Sequence, residues 1–124
     1  MPFDSLPQVP FSDIDILLDA RGRIDDPERW IKGALRKRNR RCLVAALVLA
    51  CKSRRIGRRT LRRLAFHMVR QLPVGRLQRA IPFMPMQRLM RFNDNPRTTH
   101  ADVMALFDRT IQNLSVKALA TVTE

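Results

Sequence analysis

Hydrophobic positions recur along most of the chain at helical spacing. The clearest series is Val103, Leu106, Phe107, Thr110, Ile111 and Leu114, which traces one face over three turns. Thr99 and Asp102 precede it with the spacing of a capping box. A second series, Leu61, Leu64, Ala65, Met68 and Leu72, predicts a two-faced helix over 58–72. Arg59, Arg62, Arg63 and Arg70 fall on its other face, with Phe66 projected among them. Cys42–Cys51 is dense in Ala, Leu and Val with no polar side, as expected of a central helix buried on most sides. Ser12 with Asp15 reads as a first helix start, with Ile14, Leu17 and Leu18 inward and Asp13, Asp15 and Asp19 elsewhere. Asp26 as cap and Pro27 at the first position predict a short helix anchored by Trp30 and Ile31 and ending near Gly33. Another spans Pro85–Phe92, with Leu89 and Phe92 inward.

Between these blocks the punctuation sets the limits. Pro2, Pro7 and Pro10 make residues 1–11 an extended arm, and the polar, β-branched residues 117–124 a frayed tail. Pro73, Gly75, Pro82 and Pro85 keep the stretch after Leu72 irregular. Arg36–Arg41 lacks apolar periodicity and reads as a solvated loop; a short β-hairpin within 31–43, with Asn39 in its turn, competes with that reading. The fold class is all-α: a single compact bundle of four or five helices over 12–116, with the 42–52 helix buried at its centre.

Charge changes this picture from a fold to a surface. Between Lys32 and Arg91 lie 18 Lys or Arg and no acid, within a chain of net charge +13. Residues 1–31 carry −4 and residues 92–124 carry −1. Like charge so concentrated repels itself, which points to an anionic partner or to acids folded across it. The expected function is a non-enzymatic binding protein whose basic surface engages nucleic acid, DNA or RNA, mainly through phosphates. Arg59, Arg62, Arg63 and Arg70 are the expected phosphate clamps, Phe66 a stacking wedge, and Lys37, Arg38, Arg40 and Arg41 an auxiliary grip. The alternative is an adaptor domain docking an acidic protein through the same face. A basic amphipathic helix can also lie on acidic lipid, but the Leu and Met of this one are needed to close a small core. The 43–64 stretch has the rhythm of a helix-turn-helix; its break is longer than the tight turn of that motif, and few side chains other than Arg face outward to read bases.

Other chemistry finds little support. The longest apolar run, ten residues, is about half of what a bilayer-spanning helix needs. Without a secretory layout at its start the chain is expected in the cytoplasm. Cys42 and Cys51, on one helix, would stand roughly 13 Å apart, too far for a disulfide. Cys42, Asp94 and His100 follow the order of a thiol hydrolase, but nothing supplies an oxyanion hole, and the expectation is no catalytic residue. Two His and two spaced Cys give no metal site, and no cofactor or small-molecule substrate is indicated. Met84, Met86 and Met90 with Phe83 read as core filler, or else as an adaptable docking surface.

Four motifs resemble those of a family of short, uncharacterised bacterial proteins, a domain of unknown function. They are Trp30-Ile31-Lys32-Gly33-Ala34, Cys42 with Ala45-Ala46-Leu47, Phe92-Asn93-Asp94, and Thr99 with Asp102-Val103. The resemblance runs from about Ile14 to Leu114 and implies a fold, not an activity. Relatives look less basic between the Cys and Phe-Asn-Asp segments, so nucleic-acid binding would be a local elaboration. Asn93 and Asp94 suit the joint that launches the last helix; a polar site shared with Trp30 is the functional rival.

Overall fold

The computed structural model describes residues 9–73 and 84–123. In chain order these form α1 (Val9–Arg23), a 3-10 turn (Pro27–Arg29), β1 (Arg36–Lys37), β2 (Arg40–Arg41), α2 (Leu43–Ser53), α3 (Arg58–Arg70), α4 (Pro85–Asp94) and α5 (His100–Thr123). It is an all-α bundle with one two-stranded antiparallel hairpin.

α2 is the hub because nearly every turn of it is apolar. Leu43, Val44, Ala46, Leu47, Ala50 and Cys51 are buried, and the helix touches α1, α3 and α4. α1 lies between α2 and α5, and α3 packs mainly on α4. Phe107, Ile16, Leu17, Ile24, Leu47, Leu64, Met68 and Leu89 are fully enclosed, each worth roughly 1.5–3 kcal/mol of transfer free energy. α2 ends in a Schellman arrangement: Arg55 N–H donates to the Lys52 carbonyl at 3.0 Å and Ile56 N–H to that of Cys51 at 2.9 Å. Arg55 takes the left-handed position at φ 56°, where glycine is usual. At α5 the capping box is reciprocal. Asp102 N–H donates to Thr99 Oγ1 (3.1 Å) and Thr99 N–H to Asp102 Oδ2 (2.9 Å).

Several expectations need correction. α1 begins at Val9, not after Ser12, because Pro10 fits a first turn whose N–H groups have no partners. Of the expected arm, residues 1–8 lie outside the described residues, as does 74–83 with Pro82 and Phe83. The inward face of α1 is Asp13, Ile16, Leu17 and Ala20, continued by Ile24 just past its end; Ile14 packs against the core as expected, while Leu18 is half exposed. Two neighbours, α2 and α5, set that phase. The helix expected over 27–33 is only the 3-10 turn, capped by Asp26 through the Glu28 N–H, and Trp30 is already extended. Arg36–Arg41 is the hairpin rather than a loop, with Arg36 opposite Arg41 and Lys37 opposite Arg40. α5 keeps helical geometry past residue 117 to Thr123, with Ala118 buried.

Candidate nucleic-acid interface

Helical spacing gathers Arg59, Arg62, Arg63, Phe66, His67 and Arg70 into one groove of about 420 Å³ on the outer face of α3. They are not equivalent. Arg63 grips Asp13 of α1 with both ends of its fork, Nε to Oδ2 at 3.1 Å and Nη2 to Oδ1 at 2.9 Å. Asp13 is 2% exposed, so this is an ion pair across the core edge. Its hydrogen bond holds the Arg63 guanidinium even more firmly protonated than usual. Arg63, expected as a phosphate clamp, is therefore committed to the fold. Burial pushes the His67 imidazole below its ordinary value, and Lys117, Arg70 and Arg63 add to this against the opposing pull of Asp13.

Two further helix acids, Asp19 and Asp108, are also engaged. Asp19 accepts from Arg23 at 2.8 Å and from Arg54. Burial alone would raise its carboxyl, but hydrogen bonds and charge from the two Arg outweigh that and lower it. Asp108 pairs with Arg21 at 2.8 Å. Among the described residues no carboxylate pairs with Arg59, Arg62 or Arg70.

The hairpin divides its cations between two grooves. Lys37, Arg38 and Arg40 line one of about 540 Å³ with Glu28, Ile31 and Asn39. Arg41, expected to join them, instead lies with Arg36 and Lys52 at the rim of a groove of about 330 Å³ floored by Val44, Val48, Leu49 and Met90. Neither shares a lining residue with the α3 groove, so the basic residues line three grooves rather than a single one. Of the expected Met cluster, Met86 and Met90 pack against the core and Met84 is exposed.

Trp30, Gly33, Cys42, Asn93 and Asp94 converge on a polar joint. Asn93 is fully buried, and its Oδ1 accepts from Trp30 Nε1 (2.6 Å) and from the Leu43 N–H at the start of α2 (3.1 Å). Its Nδ2 donates to the Ile31 carbonyl and to Asp94 Oδ1, each at 3.0 Å. That fills the full capacity of one amide. Asp94 Oδ1 also accepts the Gly33 N–H at 2.9 Å. Gly33 has open space around it but φ +76°, so its backbone rather than its size is what the joint needs. Lys32 caps the Asn95 and Pro96 carbonyls and lies 5.6 Å from the Trp30 ring.

The side chains weighed for catalysis sit at this joint and are occupied. Cys42 is buried at the N-cap of α2, with Sγ accepting the Ala45 N–H at 3.3 Å. Burial raises its thiol, with Asp94 adding to the effect, and burial likewise raises that of Cys51, with Asp13 behind it. His100 Nε2 lies 2.7 Å from the Ile24 carbonyl, and no hydrogen bond joins Cys42, His100 and Asp94. Among the described residues no three metal-ligating side chains come together, and no helix is long and apolar enough to cross a membrane. The residue that reading the sequence missed is Asp13. Its signal was present: 13, 16, 17, 20 and 24 form one continuous helical face, with an acid on the apolar side.

Comparison with curated proteins and with solved structures gives no match. The profile of one protein family matches residues 9–113, spanning α1 through most of α5 and the whole of the Asn93 joint. The chain thus belongs to the DUF6197 family of unknown function.

Proposed function

We propose that the chain is a binding protein for nucleic acid, engaged through phosphates by α3 and the hairpin. The carrying observation is what remains after the acids are assigned: Arg59, Arg62 and Arg70 share a groove with no carboxylate paired to them among the described residues. The hairpin supports the same reading. Both of its cross-strand pairs set cation against cation, an arrangement that destabilises a ladder unless an anion lies over it. The joint around Asn93 is spent on the fold, which leaves these cations for a ligand.

The test is retention on heparin and on oligonucleotides across a salt series. Each phosphate contact contributes about 0.7–0.9 to the log–log slope, so replacing Arg59, Arg62 and Arg70 by Gln should lower the slope by about 2–3 at unchanged thermal stability. A wild-type slope near one contact would remove the proposal.

A second reading, docking of an acidic amphipathic protein segment, is favoured by the groove on α2. Its floor is apolar and its three rim charges, Arg36, Arg41 and Lys52, are all basic. Val48→Asp should abolish binding of a Leu/Glu amphipathic peptide there and spare oligonucleotide binding.

A further inference from the structure

Phe66 sets the α3 groove apart from an ordinary cationic face. The ring is partly exposed and lines the groove, yet it is neither in the core cluster nor among the residues packed against it. The described phenylalanines Phe92 and Phe107 are both core-associated. Among the described residues, this ring lies beside arginines and adds nothing to the core cluster.

The charges around it are ordered. Arg62 lies four residues before Phe66 and Arg70 four residues after, about 6 Å along the axis on either side. Arg59 extends the row by most of another turn. Arg63, the remaining cation of the groove, is held by Asp13 through Nε and Nη2 and fixes that wall. The groove therefore alternates cation, ring, cation along one line.

From this arrangement we infer that the α3 groove takes single-stranded nucleic acid, one base stacked on Phe66 while Arg59, Arg62 and Arg70 hold the flanking phosphates. This rests on the nucleic-acid reading above and narrows its substrate class. In a duplex the base faces are covered by their neighbours, so a ring at the phosphate level has nothing to stack on. In a single strand every base offers a π-face, and recognition is tolerant of sequence.

Fluorescence anisotropy with labelled oligo(dT) of about 12 nucleotides and with a duplex of the same length tests it. The single strand should bind more tightly than the duplex. Phe66→Leu should weaken the single strand about 5- to 150-fold, the loss of one base–aromatic stack, while leaving duplex binding and thermal melting unchanged. Phe66→Trp should restore single-strand affinity, with emission from the new indole quenched on binding. Equal affinity for both forms, or a Phe66→Leu variant that binds oligo(dT) like wild type, overturns the inference and leaves phosphate binding standing. If wild type binds neither form, the broader reading fails with it.

Discussion

Replacing Asn93 by Ala tests the joint most directly. Four hydrogen bonds disappear together, in a residue with no exposed surface. The heaviest loss is the Leu43 N–H, one of the α2 N-terminal donors with no helical partner, in a fully buried residue; left unsatisfied it costs about 1–3 kcal/mol. Trp30 Nε1 and the Ile31 carbonyl are only partly enclosed and recover much of their loss from water. With the small cavity added, the total is about 3 kcal/mol, a large share of a domain stability of roughly 5–15 kcal/mol. For a chain of this size that lowers the Tm by about 10 °C. Calorimetry measures it, and the chain's only Trp reports on the site, since Trp30 emission should shift to the red as water replaces the amide. Asn93→Asp separates geometry from hydrogen-bond polarity. Its first oxygen keeps both donors, but its second faces the Ile31 carbonyl and the Asp94 carboxylate. The new carboxyl is thus driven to protonate in the folded state, and its destabilisation should be full near neutral pH and shrink as pH falls through that raised pKa. A loss below about 1 kcal/mol for Asn93→Ala, with Trp30 emission unchanged, refutes the account.

Further outcomes follow from the ion pairs and caps. Arg63→Gln strands the Asp13 carboxylate in the core and should cost about 3 kcal/mol by urea denaturation, whereas Asp13→Asn leaves an Arg that reaches water and should cost less. Equal losses would mean that Asp13 is not enclosed. Arg55→Gly relieves a left-handed residue at the end of α2 and should stabilise by about 0.5–1 kcal/mol without altering oligonucleotide retention. NMR titration should place the His67 pKa below its usual value; the depressed shift means that its contribution to stability is present above the unfolded pKa and lost as pH falls through the folded one. Cys42 and Cys51 should resist iodoacetamide in the native protein and react fully in denaturant.

Local rules carried much of the architecture. The faces of α3 and α5, the capping box at Thr99, the apolar α2 and the Leu89 face of α4 were legible because each depends on spacing within a dozen residues. Expectations went astray where neighbours decide. Asp13 belongs inside because α2 and α5 enclose α1 and Arg63 arrives from fifty residues away. Asn93 is a hub because Trp30 and the start of α2 reach it from the far side of the hairpin. Separation of the basic residues into distinct grooves follows from where α3 and the hairpin leave the bundle.

By itself, then, the order of residues determined which segments coil, where they are capped and how much positive charge the middle of the chain must carry. Only the packed structure decided which of those charges meet a carboxylate. Helical period acts over one turn and is written locally, whereas an ion pair depends on two helices arriving at the same place.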